Sequence, residues 1–293
     1  MGIGMSINAP ESLTLKNAIV LYADLLGFSH QVTDVGGIQA AIGLAAKLDR
    51  FAELFTERNE MAEYFGKKYW AFSDSIVVTW YEESQAAEAM TPFDAQLHQI
   101  SGIASAQAEL MCADSQLVRG GLGRGWFLER DETVLGNALV AAARLEKKMK
   151  GPFIAVEESL YQHFLTHPGR RMYAESIDPV PATFIAPCDY TNFLPALDYL
   201  MVAVEDIDLT NAQIRAAKEL PPGRGRDDFR SHCAWENRLE FLRWHREFVI
   251  RGLSDPDETI ASKYCALKAH HNARVSSHFS QHQDLLIPTP NDV

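Results

Sequence analysis

Apolar residues follow two spacings along the first half of the chain, and these spacings predict alternating strands and helices. Short apolar, aromatic or β-branched runs, which are typical of buried strands, lie at 17–24, 69–81, 117–126 and 153–156. Runs with apolar residues three or four positions apart, which are typical of helices, lie at 38–64, 93–112 and 135–149. This alternation predicts an α/β (α+β) fold, with a mixed sheet flanked by helices.

The second half of the chain has a different pattern. Residues 173–204 are strand-like and interrupted by prolines, and the segment 221–228 (PPGRGRDD) predicts a flexible break. Apolar residues return at helical spacing in 235–252 and 258–279. The sequence therefore predicts a first domain of residues 1–204 and a mostly helical C-terminal extension of residues 205–293.

Composition and charge exclude several classes of protein. The chain has 293 residues, of which 47% are hydrophobic, as in ordinary globular domains. Its 39 acidic residues outnumber 27 Lys and Arg, for a net charge of −12, so we expect no nucleic-acid partner. No apolar run approaches the roughly 20 residues that span a bilayer, and no signal-peptide pattern opens the sequence. We therefore expect no membrane partner and a cytoplasmic location, with four dispersed cysteines kept as thiols.

Two aspartates stand out among the apolar runs. Asp24 ends the first predicted strand, and the turn that follows it at Gly27 could offer backbone N–H groups to a phosphate. Asp74 interrupts a second strand pattern, where an unpaired carboxylate is costly without a partner or a metal. Two such acids on neighbouring strands can hold two cations about 4 Å apart, as phosphoryl chemistry requires. Either aspartate alone would more often be a capped turn or a salt-bridged core acid.

A third, glycine-rich segment connects these acids to a known family. It contains Val118-Arg119-Gly120-Gly121-Leu122-Gly123-Arg124-Gly125 and continues to a helical stretch from Gly136 to Glu146 that includes Ala142-Ala143-Arg144-Leu145-Glu146. With Asp24-Leu25-Leu26-Gly27-Phe28 and Asp74, these motifs resemble, in order and spacing, the class III nucleotidyl cyclases over residues 15–160. The resemblance implies a class III cyclase-like mixed sheet and the cyclisation of a nucleoside triphosphate substrate.

The resemblance also implies roles for the residues around the two aspartates. Asp24 and Asp74, with the backbone carbonyl of Leu25, would bind two Mg²⁺ or Mn²⁺ ions per site. The amides of Gly27 and Phe28 would contact the triphosphate.

Arg144 would stabilise charge on the α-phosphate during attack by the ribose 3′-oxygen. Because the family takes its metal-binding acids and this arginine from opposite subunits, the resemblance implies a homodimer with two active sites shared across its interface.

The chain departs from the family at the residues that read the base. Trp70 replaces the purine-reading Lys, with Lys68 two positions earlier, and Thr133 replaces the partner Asp of adenylyl cyclases. In this the chain resembles the pyrimidine cyclases of bacterial Pycsar antiphage systems, which make cyclic UMP or cyclic CMP and activate a cyclic-nucleotide-gated effector. We expect a uridylate cyclase, with a cytidylate cyclase as the alternative.

Other departures leave a rival hypothesis open. Val140 stands where the family has an Asn that binds the substrate ribose, which favours a catalytically silent nucleotide-binding module. The family's late triphosphate Lys has no clear counterpart. Arg119 or Arg124 could replace it, although an Arg leaving a strand is more often in a surface ion pair. The presence of both Asp24 and Asp74, whose burial costs free energy, favours an enzyme over a silent module.

Histidines cluster late in the sequence, at positions 270, 271, 278 and 282. Their spacing matches no closed zinc pattern. The sequence therefore favours a polar helix face or a dimer contact over a metal site.

Overall fold

A mixed sheet forms the centre of the fold. The structure is a computed structural model that describes residues 15–56, 60–130 and 133–288. Its strands are β1 (Lys16–Leu25), β2 (Lys67–Phe72), β3 (Ser75–Tyr81), β4 (Val118–Arg130), β5 (Thr133–Gly136), β6 (Ile154–Val156), β7 (Phe184–Ile185) and β8 (Ala196–Leu197). Their order is β2-β3-β1-β4-β6-β8-β7, and β5 pairs with β4. Only the β4–β6 pair is parallel among the pairs described.

Helices flank the sheet and form the C-terminal extension. Those of the first part of the chain are α1 (Phe28–Thr33), α2 (Ile38–Thr56), α3 (Glu60–Tyr64), α4 (Gln85–Ala89), α5 (Pro92–Asp114), α6 (Asn137–Lys148), α7 (Glu158–Thr166) and α8 (Val180–Thr183). Then follow α9 (Tyr199–Asp206), α10 (Asn211–Glu219), α11 (Arg224–Leu253) and α12 (Glu258–His278). The predicted mixed sheet flanked by helices is confirmed, and so is the helical nature of the extension.

The two faces of the sheet pack against different sets of apolar residues. Alternate residues of β1, such as Ile19 and Leu21, join the large core that helices such as α2, α5 and α9 complete. The intervening residues Ala18 and Val20 belong to a smaller apolar cluster on the opposite face, which we call the second face. Asp24 has the same parity as Ala18 and Val20, so it belongs to the second face.

Glycines allow α6 to lie directly on β4 at the second face. A Cβ atom on Gly121 would lie 2.2 Å from the carbonyl oxygen of Ala142, and one on Gly123 would lie 2.4 Å from that of Ala138. Any side chain at these positions would push the helix away. The glycine-rich motif therefore sets the distance between α6 and the sheet.

The β4–β5 hairpin folds over the second face. Phe127 of β4 pairs in register with Lys16 of β1, and three strand spacings of about 4.8 Å separate β4 from β2 in a flat sheet. Yet the ring centroids of Phe127 and Trp70, which is on β2, are only 5.7 Å apart. The end of β4 must therefore curl back across β1 and β3, which creates an aromatic cluster there.

Some predicted elements were wrong in type or extent. The 69–81 segment, whose strand pattern Asp74 interrupts, is a hairpin of two strands, because Ser73 and Asp74 form a two-residue turn. Residues 173–204 are mainly short helical turns and α9, with two-residue strands β7 and β8. The expected break at 221–228 ends at Gly223, since α11 begins at Arg224. At these places, packing against the core and the neighbouring helices outweighs the intrinsic secondary-structure propensity of the residues.

The late histidines do not form a polar helix face, and that prediction was wrong for two of them. His270 and His271 are fully buried, as is His245 of α11. His271 Nε2 lies 2.9 Å from the carbonyl oxygen of Leu285, so that nitrogen must carry a proton. Its Nδ1 then accepts from His245 Nδ1, 2.9 Å away, and His245 Nε2 accepts from the hydroxyl of Tyr199 at 2.9 Å. This chain of bonds requires both histidines to be neutral.

Acidification should therefore weaken the fold. Burial lowers the pKa of His271 to about 4 and the pKa of His245 well below its usual value. The unfolded chain binds a proton on His271 near pH 6.5, but the folded chain does so only near pH 4. Stability is thus full above pH 6.5 and falls by about 3 kcal/mol as the pH drops to 4. Urea unfolding across this range measures the slope.

The variant His271→Asn, whose amide cannot take up a proton in this pH range, should flatten that slope. The variant His232→Gln changes an exposed histidine and serves as the control. Equal slopes in wild type and His271→Asn would contradict the neutral pair.

The remaining sequence features concern thiols and membranes. All four cysteines lie in the described part of the chain, and all are free. Within the described residues, no helix combines the length and the apolar character that crossing a membrane requires.

Candidate active site

Asp24 and Asp74 come together at one end of the second face. The backbone N–H of Leu25 donates to the carbonyl oxygen of Asp74 at 3.0 Å, which places the hairpin turn beside the end of β1. Asp24 accepts a hydrogen bond of 3.0 Å from Ser75 Oγ, and it pairs in register with Arg119 of β4. The two predicted metal ligands therefore lie next to each other, on β1 and on the β2–β3 turn.

The turn that carries Asp74 is held in an unusual backbone conformation. Ser73 has a φ of 58°, in the left-handed region that hairpin turns of two residues require. Asp74 is half-buried, and no hydrogen bond reaches its carboxylate from the described residues. Its oxygens are thus available to a ligand.

Negative charge accumulates around Asp24. Burial raises the pKa of Asp24, and the charges of Asp74 and Glu146 raise it further. The hydrogen bond from Ser75 and the charge of Arg119 act in the opposite direction but do not outweigh these effects. A cation bound here would reverse the raised pKa, because it favours the ionised carboxylate.

This donor set fits Mg²⁺ or Mn²⁺ in the way that such ions bind with a phosphate substrate. Magnesium takes oxygen ligands, often one or two carboxylates together with substrate phosphates and water. In residues 15–56, 60–130 and 133–288, no group of three or more His, Cys, Asp or Glu side chains could hold an ion. Two carboxylates alone make a weak site, so any ion here would depend on oxygens that a substrate supplies.

Arg119 lies beside these acids but is already paired. Its Nε donates to Glu146 Oε1 at 2.7 Å, and Glu146 is almost fully buried on α6. Arg124, the other candidate for a phosphate contact, forms a salt bridge with Glu82. Both arginines therefore form ion pairs, as is common for an Arg that leaves a strand.

Gly27 and Phe28 form the turn after β1. Gly27 has a φ of 81° and caps the start of α1, and a Cβ atom there would meet open space. The ring of Phe28 is buried in the main core, so only its backbone can face a ligand. This arrangement leaves the Gly27 backbone accessible beside the acids.

The residues expected to bind the base lie at the other end of the second face. Trp70 contacts Phe127 in the smaller apolar cluster, and Lys68 forms a salt bridge with Glu129. Thr133 is exposed at the start of β5, where it pairs with Arg130. Lys68 and Asp74 are six positions apart, or about 20 Å of extended chain. The structure therefore does not bring the base-binding residues to the acids of the same chain.

Arg144 faces away from the acids of its own chain. It is exposed on α6, two positions before Glu146, which faces Arg119 and Asp24. Two helical positions correspond to a rotation of about 200°, so the guanidinium lies on the opposite side of the helix. No salt bridge reaches it from the described part of the chain. Val140, one turn earlier, is also exposed, at 48%.

Three side chains at the two ends of the second face contact predicted site residues but were not predicted themselves. Ser75 binds Asp24, Glu146 binds Arg119, and Glu129 binds Lys68. The alternation of β3 could have indicated Ser75. Glu129 had no such signal, because the predicted strand ended at 126, whereas β4 runs to Arg130.

Comparisons with known proteins find a likeness to cyclases only at the level of structure. No family model and no curated protein matches the chain. The adenylyl cyclase CyaB from P. aeruginosa has a TM-score of 0.42 and 16% identity, covering 52% of this chain and 82% of its own. The dimeric guanylyl cyclase domain of the RhoGC fusion protein from Blastocladiella emersonii has a TM-score of 0.38 and 15% identity. The match covers 62% of this chain and 93% of that domain.

A third structure extends over most of this chain. A class III adenylyl cyclase-like ATP-binding protein from Pseudomonas aeruginosa covers 94% of this chain and 63% of its own, at 11% identity and a TM-score of 0.39. With TM-scores below 0.5 and identities below 25%, these likenesses say nothing of substrate or activity.

Proposed function

We propose that the chain is a metal-dependent nucleotidyl cyclase, which converts a pyrimidine nucleoside triphosphate to its 3′,5′-cyclic monophosphate and diphosphate. The preferred substrate is UTP, with CTP as the alternative. The observation that carries this proposal is the meeting of Asp24 and Asp74 beside the open Gly27 turn, with a carboxylate pKa raised by burial. The resemblance to Pycsar cyclases supports a role in antiphage defence through a cyclic-nucleotide-gated effector.

The chain's residues would divide the chemistry between them. Asp24 and Asp74 would hold the divalent ions, which when bound neutralise the triphosphate and lower the pKa of the 3′-hydroxyl. The Gly27 and Phe28 amides would orient the phosphates, and Arg144 would stabilise charge that grows on the α-phosphate as the 3′-oxygen attacks and diphosphate leaves. Of these, only Arg144 points away from the acids of its own chain.

That orientation supports a homodimer with shared sites. A second copy would have to supply the arginine that completes each metal site. Large apolar side chains around α6 and the two hairpins are exposed by 40–54%, namely Phe72, Trp126, Leu135 and Val140. Exposed apolar side chains near an incomplete site favour a partner surface there.

Mixing two inactive variants tests the sharing. Asp74→Asn and Arg144→Ala should each be inactive alone, since each removes one half of every site. In a mixed dimer one of the two sites keeps both residues, so about a quarter of the wild-type turnover should return, because half of the dimers are mixed and each has one intact site. Subunit exchange, followed by a tag on one variant, is the control. A mixture that stays inactive after confirmed exchange would contradict the shared site.

A silent nucleotide-binding module is the second candidate. Val140 cannot form the hydrogen bond to the ribose that the family Asn forms, and it is exposed beside Arg144. Such a module would bind a nucleoside triphosphate and release it unchanged.

The experiment that separates the two candidates is a product assay. Purified protein is incubated with Mn²⁺ and with ATP, GTP, CTP or UTP separately, and the products are identified by mass. A cyclic monophosphate from UTP or CTP alone is the expected result. Nucleotide binding without product from any of the four would favour the silent module.

A further inference from the structure

The backbone of Leu26, at the end of β1, is bonded on both sides to the connection between α5 and β4. Its N–H donates to the carbonyl oxygen of Leu117 at 2.9 Å. Its carbonyl oxygen accepts a hydrogen bond of 2.8 Å from Nε2 of Gln116. Because Gln116 is only 4% exposed, little water reaches these bonds. Leu26 is therefore held in one orientation relative to the start of β4.

These two bonds also orient the backbone groups on either side of Leu26. In a planar trans peptide, such as those of this segment, the N–H and the C=O point in opposite directions. The Leu26 carbonyl faces Gln116, so the Gly27 N–H of the same peptide points away from Gln116. The Leu26 N–H faces Leu117, so the Leu25 carbonyl points away from Leu117. The proposed function assigns that N–H to a phosphate and that carbonyl to a metal.

A second glutamine and a lysine fix which way round the Gln116 amide lies. Nε2 of Gln31, on α1, donates to Oε1 of Gln116 at 3.1 Å. Nζ of Lys47, on α2, donates to Oε1 of Gln31 at 2.9 Å. An ammonium only donates and a backbone carbonyl only accepts, so a single orientation of the two amides satisfies every bond. The nitrogen of Gln116 is thereby kept on the Leu26 carbonyl.

We propose that Gln116 is a positioning residue for phosphate binding, an inference that rests on the proposed cyclase function. By holding the Leu26 carbonyl, Gln116 keeps the Gly27 N–H presented to the triphosphate without touching the substrate itself. Gly27 needs such support, because a glycine at a φ of 81° can readily move to other conformations. Without Gln116 the turn would populate several orientations, and only the fraction that presents the N–H would bind phosphate.

Binding of inorganic tripolyphosphate tests this role without turnover. Full-length wild type and Gln116→Met are titrated in Ca²⁺ by calorimetry, since methionine keeps the length of the side chain and removes its amide. The Kd of tripolyphosphate should rise about 5- to 10-fold, the usual effect of one hydrogen bond on an equilibrium. If cyclic product forms, the KM for UTP should rise by a similar factor while kcat stays nearly unchanged. The reason is that the Gly27 amide contacts phosphate in the ground state and the transition state alike.

Gln107 of α5 provides a matched control. It is also a fully buried glutamine, and its Nε2 donates to the backbone carbonyl oxygens of Pro152 at 2.9 Å and Val118 at 3.5 Å. Gln107→Met thus makes the same change in the same part of the core, but it leaves Leu26 held. It should keep the wild-type Kd of tripolyphosphate even where it lowers the melting temperature.

A second variant reaches the same bonds from a more exposed position. Gln31→Met changes no charge and removes the donor that fixes the Gln116 amide. It should raise the Kd of tripolyphosphate by a smaller factor than Gln116→Met, because the Gln116 amide could then turn over in part of the molecules. This variant decides the question if Gln116→Met does not fold.

The outcomes separate this inference from the cyclase proposal. If Gln116→Met weakens tripolyphosphate binding and Gln107→Met does not, the positioning role stands, whether or not a cyclic product forms. If wild type forms product and both Gln116→Met and Gln31→Met bind tripolyphosphate as tightly as wild type, the role is wrong and the activity stands. Equal weakening by Gln116→Met and Gln107→Met would also overturn the role, because it would indicate a general loss of packing. A wild type that binds no tripolyphosphate would overturn both proposals.

Discussion

Replacing Asp74 by Asn is expected to abolish Mn²⁺-dependent turnover while leaving the melting temperature without metal nearly unchanged. The side chain forms no hydrogen bond within the described residues, and the contact with Leu25 uses the Asp74 backbone, which the substitution keeps. A metal contributes several kcal/mol to stabilising transition-state charge, and each 1.4 kcal/mol is about tenfold in rate. Turnover should therefore fall by at least about 1000-fold.

The control for this variant is Asp49→Asn, which removes the same charge from an exposed position on α2. It should retain full activity. Normal turnover of Asp74→Asn would rule out the metal site, and a large loss of stability would show that the turn needs the carboxylate for folding.

Replacing Asp198 by Ala should destabilise the protein by about 3–5 kcal/mol, the usual cost of removing one partner from a buried ion pair. Asp198 is fully buried at the N-terminus of α9, and its carboxylate forms ion pairs with His270 Nε2 at 3.1 Å and Arg274 Nε at 2.5 Å. It accepts a hydrogen bond of 3.0 Å from the backbone N–H of Met201. The substitution leaves two cationic side chains and one backbone N–H without their partner in the interior.

The pKa of Asp198 agrees with this expectation. Burial alone would raise the pKa, but His270, Arg274 and the Met201 amide outweigh it, so the pKa is lowered.

The free energy of unfolding in urea at pH 7 measures the effect of the Asp198 substitutions. Asp198→Asn, which keeps an acceptor for Met201, should lose less than Asp198→Ala, and Asp208→Ala, at an exposed acid, should lose little. Equal stability of Asp198→Ala and wild type would contradict this interaction between α9 and α12.

Local sequence patterns predicted most elements of the first half of the chain. β1, α5, α6 and β6 lie within a few residues of their predicted positions, because each has a strong periodicity that packing reinforces. Residues 173–204 lack such a pattern, and there the strand prediction was wrong. The domain boundary at residue 204 and the roles of the site residues stay predictions.

Residue type, spacing and the family resemblance were enough to single out Asp24, Asp74 and the glycine-rich motif as candidates for the chemistry. Which of these residues lie together could be learned only from the folded chain. The β2–β3 turn brings Asp74 to Asp24, whereas α6 turns Arg144 away from both. The curl of β4 brings Glu129 to Lys68, 61 positions away in sequence. Such contacts depend on how strands bend and helices rotate in the packed fold, and periodicity along a chain contains no information about either.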